Sequence, residues 1–79
     1  MSNDTFVKDV CELVVKEAGV DISVSHMRKL NDTRRDYYEK GVMESPSDVI
    51  ERVEDIFSDV VFDSTKRRHI RQGLVRVLR

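Results

Sequence analysis

The residues of this chain best suited to chemistry are the basic side chains near its carboxyl end. Residues 66–79 hold six Lys and Arg and no acid. A guanidinium group binds a carboxylate or a phosphate through two parallel hydrogen bonds. The segment is therefore a candidate surface for an acidic protein or a nucleic acid. Its densest part spans about one and a half helical turns and comprises Arg67, Arg68, His69 and Arg71.

A second basic segment lies in the middle of the chain. Guanidinium groups and tyrosine rings are enriched where proteins bind other proteins, and tyrosine rings also stack on nucleic-acid bases. The same side chains therefore suit either kind of partner, and the sequence leaves both open. The candidate partner-binding residues of this segment are Arg28, Lys29, Arg34, Arg35, Tyr37 and Tyr38.

Residue patterns typical of catalysis are missing from the sequence. His26 and His69 have no Cys, Asp or Glu at a recognisable metal-ligand spacing, and no serine lies in a nucleophile-elbow sequence. None of the three glycines belongs to a phosphate-binding loop. The single cysteine, Cys11, lies among valines and is predicted to be a small buried hydrophobic residue. We therefore expect a protein without enzymatic activity, cofactor or bound metal.

Length and composition predict one small soluble domain. A chain of 79 residues encloses a single core, and 37% charged residues leave no segment apolar enough to span a membrane. The amino-terminal sequence has no features of a secretory signal or transit peptide, so we expect a cytoplasmic location. A domain this short buries only ~60% of the surface that its unfolded chain exposes. Pairing into a homodimer would add stability and stays open.

Apolar residues recur at three and four positions in four blocks, which predicts four helices. We therefore predict an all-α fold, a small compact bundle of three to four helices. Residues 20–24 alternate like a strand and are predicted to form an extended connector that holds Val20, Ile22 and Val24 against the core, with a small two-stranded pairing as the alternative. The predicted helices are residues 6–18, residues 26–40 with Met27, Leu30, Tyr37 and Tyr38 on the apolar side, a third after the cap Ser45, and a fourth after Asp63 or Ser64.

Charge is strongly segregated along the second half of the chain. Residues 42–65 hold one Arg and seven acids, a net charge of −6, whereas residues 66–79 carry +6. Helices joined by a few residues normally lie antiparallel, so some of the terminal arginines should pair across a helix hairpin. Cations on the far side of their helix remain in water, and we predict that a positive surface survives. The carboxylates available for pairing are Glu51, Glu54, Asp55 and Asp59.

The segment at residues 12–31, most of which lies in the stretch VVKEAGVDISVSHMRKLND (residues 14–32), resembles a helix-turn-helix of the repressor type. Ala18 and Gly19 would occupy the turn. The resemblance implies a dimeric DNA-binding transcription regulator whose second helix enters the major groove. The residues placed to contact bases would be Ser25, His26, Arg28, Lys29 and Asn31.

Three hypotheses for function follow from these patterns. The first is a small non-enzymatic regulatory protein, an adaptor, inhibitor or regulatory subunit, that binds an acidic surface of another protein through its basic helices. The second is the DNA-binding regulator, for which a pI near 6.1 is low. The third is that the acidic third helix is itself the docking surface and mimics a nucleic-acid backbone.

Overall fold

The computed structural model describes residues 5–78, which form four α-helices and no strand. The prediction of an all-α bundle is confirmed. A π-helical turn directly continues the second helix, so the predicted helix over residues 26–40 is two different helical segments. The elements are α1 (Phe6–Ala18), α2 (Val24–Arg34), the π-helical turn (Arg35–Glu39), α3 (Pro46–Ile56) and α4 (Ser64–Val77).

Side-chain caps begin α3 and α4 where the sequence predicted them. The Ser45 hydroxyl accepts a hydrogen bond from the backbone N–H of Asp48, and Pro46 takes the first helical position. The Asp63 carboxylate accepts two backbone N–H groups of the first turn of α4, at 2.8 and 3.1 Å. These bonds hold the pKa of Asp63 below its usual 3.8.

The four helices surround one apolar core. Both α1 and α3 pack against α2 and α4, so that α2 and α4 lie diagonally across the bundle. Each helix buries one stripe of side chains and leaves the opposite side in water. The buried apolar residues are Phe6, Val10, Val14 and Ala18 of α1, Leu30 of α2, Val49, Ile50, Val53 and Ile56 of α3, Ile70 and Leu74 of α4, and Met43, Phe57 and Val61 of the connections.

A glycine allows α1 and α4 to approach each other closely. A Cβ atom on Gly73 would lie less than 3 Å from both methyl carbons of Leu13, closer than two such carbons approach in proteins. A glycine inside a helix costs about 1 kcal/mol relative to alanine. At position 73 this cost is offset, because the absence of a side chain allows Leu13 of α1 to contact α4 directly.

His26 occupies the core position that Met27 was predicted to take. Met27 is 44% exposed, and Val24 is 67% exposed as the first residue of α2. The predictions that Met27 and Val24 face the core are wrong, because α2 begins earlier than the periodicity indicated and presents His26, Leu30 and Thr33 inward. Val20 and Ile22 do pack against the core as predicted.

The buried His26 ring, 4% exposed, joins the beginning of α2 to the turn after α3. Its Nδ1 accepts a hydrogen bond from the backbone N–H of Ser23 at 3.1 Å, which places the ring proton on Nε2. Nε2 then donates to the Asp59 carboxylate at 3.0 Å. The ring also packs against Phe57, with centroids 4.9 Å apart. The hydrogen bond from His26 holds the pKa of Asp59 below its usual 3.8.

The contact at Gly73 predicts a coupling between two substitutions. In a Leu13→Ala background, Gly73→Ala should raise the free energy of unfolding by about 1 kcal/mol, because only the gain in helix propensity remains. In the natural sequence this gain should be cancelled by the displacement of the Leu13 side chain. Urea denaturation of the two single variants and the double variant measures the coupling, and strictly additive effects would contradict the close approach.

The bond between His26 and Asp59 predicts a change in acid stability. Since the folded-state pKa of Asp59 is lowered, the bond stabilises the fold above pH 3.8, and this contribution is lost as the pH falls through the folded-state pKa. Asp59→Asn should therefore lower stability at neutral pH and make stability decline less steeply below pH 3.8. Urea denaturation at a series of pH values measures both effects. An identical acid limb in the variant would contradict the assignment.

Candidate functional site

The basic residues predicted near the carboxyl end are spread around α4 rather than gathered in one cluster. Arg71 points toward α3, where its Nη2 lies 3.4 Å from Oε1 of Glu54. His69 points toward α1, where its Nδ1 lies 3.7 Å from Oε2 of Glu17. Arg68 lies between these two flanks and faces solvent. His69 is therefore separated from the arginines with which it was grouped.

The fold satisfies some of these cations and leaves others free. Arg71 forms the kind of hairpin ion pair that the sequence predicted, and Nε of Arg67 donates a hydrogen bond to the backbone carbonyl of Val61 at 2.8 Å. Nζ of Lys66 reaches the carbonyl of Ala18 at 3.5 Å. Arg68 has no carboxylate within 4.0 Å among residues 5–78. Positive charge therefore remains on the outer side of α4.

The neighbouring side of α3 is acidic. A groove of about 350 Å³ runs between the two helices on their solvent side. Carboxylates form one wall and guanidinium groups form the other, so this outer face of the helix hairpin is negative along α3 and positive along α4. The residues that line the groove are Glu51, Glu54, Asp55, Ser58, Arg67 and Arg71.

An exposed aromatic ring stands at the beginning of α4. Phe62 is 73% exposed, although Val61 beside it is buried. A hydrophobic residue just before a helix cap usually packs on the residue four positions into the helix. In α4 that residue is Arg67, which is charged and bonded to the Val61 carbonyl. Phe62 therefore has no apolar partner of this kind.

Phe62 was not identified from the sequence, because the candidate partner-binding residues were selected among basic side chains and tyrosines. The available signal was the combination of an apolar residue just before the cap Asp63 and a charged residue at position 67. That combination predicts an aromatic ring left in solvent. The exposed ring adds an apolar element at the amino-terminal end of α4.

The two tyrosines predicted to bind a partner are partly built into the fold. Both Tyr37 and Tyr38 are half-buried against the core. The Tyr38 ring meets Phe6 edge-on with centroids 5.9 Å apart, and burial raises the pKa of Tyr38. The tyrosines therefore offer only part of their surface to a partner.

The bases of the middle segment divide into two groups. Arg34 pairs with Glu39 at 3.4 Å, and Arg35 pairs with Asp32 at 2.6 Å. Both arginines therefore form ion pairs with carboxylates of the same segment. Arg28 and Lys29 are exposed. Because α2 and α4 lie diagonally in the bundle, the structure does not bring the two predicted basic segments onto one surface.

The segment that resembles a helix-turn-helix departs from that motif in two ways. Residues 19–23 separate α1 from α2, whereas the turn of the motif has about three to four residues. The predicted base contact by His26 is wrong, since its ring is buried and bonded to Asp59. Arg28 and Asn31 remain exposed on α2.

Within residues 5–78 no three metal-ligating side chains gather at one point. In the same part of the chain, no helix combines the length and the apolar character needed to cross a membrane. Comparisons with known protein families, with curated proteins and with solved structures find no match for this chain. Function must therefore be inferred from its own surface.

The position of Phe62 predicts that its ring contributes little to folding. Phe62→Ser should change the free energy of unfolding by less than about 0.5 kcal/mol, as expected for an exposed position. Phe57→Ala, which truncates a ring that is only 2% exposed, should cost about 3–5 kcal/mol. Thermal and urea denaturation compare the two variants. A large loss of stability in Phe62→Ser would show that the ring packs within the fold.

Proposed function

We propose that this chain is a small non-enzymatic regulatory protein that binds an acidic surface of another protein through α4 and through Phe62, which precedes the cap of that helix. The observation that carries the proposal is an exposed aromatic ring, Phe62, separated only by the cap Asp63 from a helix whose described residues include no acid. Arg68, exposed and free of ion pairs among residues 5–78, supplies the charge. We name Phe62, Arg67, Arg68 and Arg71 the α4 surface.

The chemistry of these side chains suits a protein partner. Complete burial of a phenylalanine ring is worth about 1.5–3 kcal/mol, and most of the Phe62 ring is still in water. A guanidinium such as that of Arg68 forms two parallel hydrogen bonds with a carboxylate. Aromatic residues and arginine dominate the energy of protein interfaces. The pair therefore supplies an apolar anchor and a directional contact to an acid.

Duplex DNA is a poorer partner for the same surface. The carboxylates of Glu51 and Asp55 border the arginines on the open face of the hairpin, where they would repel a phosphate backbone. DNA-binding surfaces gain most of their affinity from neutralising many phosphates. A mixed face with an exposed apolar residue is more typical of protein binding. The second candidate, DNA binding through α2, is supported only by the exposure of four of the five predicted base contacts on that helix, Ser25, Arg28, Lys29 and Asn31.

The proposal predicts which substitutions remove binding. Arg68→Glu and Phe62→Ser should each weaken capture of a protein partner from native extract by about 10-fold or more, the effect of losing a central interface residue. Arg28→Glu is the matched control, because Arg28 is also exposed and free of ion pairs among residues 5–78 but lies on the diagonal helix. Quantitative mass spectrometry of the captured proteins, with and without nuclease, provides the measurement.

Two results would contradict this prediction. Full capture by the Arg68→Glu, Phe62→Ser double variant would dismiss the α4 surface. Loss of binding in Arg28→Glu together with sensitivity to nuclease would favour DNA recognition through α2. The circular dichroism spectrum of each variant verifies that the helices are intact.

A further inference from the structure

The outer face of the α3–α4 hairpin carries two parallel stripes of opposite charge. The two helices run antiparallel: Arg71 in the middle of α4 meets Glu54 in the last turn of α3, and Arg67, one turn nearer the start of α4, bonds to Val61 in the connection. The acidic stripe on α3 includes Glu51 and Asp55 beside Glu54, and the basic stripe on α4 includes Arg67 and Arg71. Arg68 lies next to this basic stripe and faces solvent.

Such a face is complementary to itself. A two-fold axis that lies in the plane of the face, between the helices and parallel to them, places α3 of one copy over α4 of the other. The same rotation places α4 of the first copy over α3 of the second. An interface of this kind uses one patch on both subunits. Every contact between opposite charges therefore occurs twice.

We propose that a second copy of this chain is a partner of the α4 surface, so that the protein forms a two-fold homodimer through the α3–α4 hairpin. This inference rests on the proposed function, because it assigns the acidic partner of the same surface. The acidic surface that the second copy supplies is its helix α3. Charge complementarity within one chain, with Glu51 and Asp55 facing Arg68 and Arg71 of the other copy, carries the assignment.

The same symmetry accounts for the exposed ring of Phe62. The rotation keeps the connection between α3 and α4 at one end of the axis in both copies, so the two Phe62 residues lie at the same end of the interface. Val75, 43% exposed on α4, adds apolar surface farther along the helix. An apolar contact at one end and paired charges along the length are complementary contributions to association.

The size of the face limits the strength of the dimer. Helix α4 has 14 residues and is therefore about 20 Å long, and two helices side by side are about 20 Å wide. Such a patch measures about 400 Å² on each copy and about 800 Å² in total, which is below the range of stable specific interfaces and in the range of weak, transient ones. We expect a dissociation constant in the micromolar range that rises with salt, because exposed ion pairs are screened.

Charge reversal gives a specific test. The variant Arg68→Glu, Arg71→Glu gives the α4 stripe a net negative charge although Arg67 remains, and the variant Glu51→Lys, Asp55→Lys gives the α3 stripe a net positive charge although Glu54 remains. Each variant alone should be monomeric, with a dissociation constant raised by about 10-fold or more by like charges. An equimolar mixture should form a heterodimer, since both stripes of one chain then oppose stripes of the other sign. Sedimentation velocity at about 0.01 M and about 1 M salt measures each sample.

Controls separate this test from folding and from the proposed function. Arg28→Glu should dimerise as the natural chain does, and Arg68→Glu alone serves as a second acidic variant that leaves the Arg71–Glu54 pair intact. A natural chain that stays monomeric in low salt, or a mixture of folded variants that fails to associate, overturns the homodimer. In that case, capture of another protein that depends on Arg68 keeps the proposed function, whereas its absence removes both.

Discussion

The close approach of α1 and α4 at Gly73 determines how α4 presents its charges. Helix α4 buries only Ile70 and Leu74 completely in the core, so these two contacts alone would fix its rotation weakly. The absence of a side chain at Gly73 lets Leu13 of α1 pack directly on the helix. With that side held against α1, Arg68 must face solvent. The distribution of cations on the surface therefore follows from a contact between apolar groups.

The start of α4 is fixed by three local bonds that together leave an aromatic ring outside. Asp63 accepts two backbone N–H groups, and the burial of Val61 anchors the chain just before it. The bond from Arg67 to the Val61 carbonyl then satisfies a backbone acceptor with a charged side chain. The Arg67 side chain, bonded to Val61, stabilises the entry to the helix and leaves the ring of Phe62 73% exposed. The bonds that stabilise the start of α4 are therefore also the reason that the Phe62 ring is exposed.

Local chemistry made much of the fold predictable, whereas details of packing did not follow from it. The caps Ser45 and Asp63 mark two helix starts, because short polar side chains satisfy free N–H groups. The prediction of which side of α2 faces the core was wrong, because the apolar stripe of this helix is thin. His26, which also caps the helix, occupies the core in place of Met27. Opposite charges in adjacent segments predicted ion pairs between the last two helices, and Arg71 and Glu54 form one. The spacing of Ile70 and Leu74 places Arg68 on the far side of α4, whereas the lack of a carboxylate near Arg68 among residues 5–78 depends on the positions of neighbouring side chains, which residue spacing does not encode.

The π-helical turn after α2 constrains the length of the chain at that point. The carboxylate of Asp36, within this turn, binds Arg52 of α3 at 2.6 Å, and its carbonyl accepts the backbone N–H of Val42 at 2.9 Å. A π-turn holds one residue more than an α-turn. Deletion of one residue from it would convert the turn to regular α-helix, and the residues after the deletion would be rotated by roughly 100° about the helix axis. Asp36 would then face away from Arg52. Evolution or protein engineering can therefore vary the composition of this turn more freely than its number of residues.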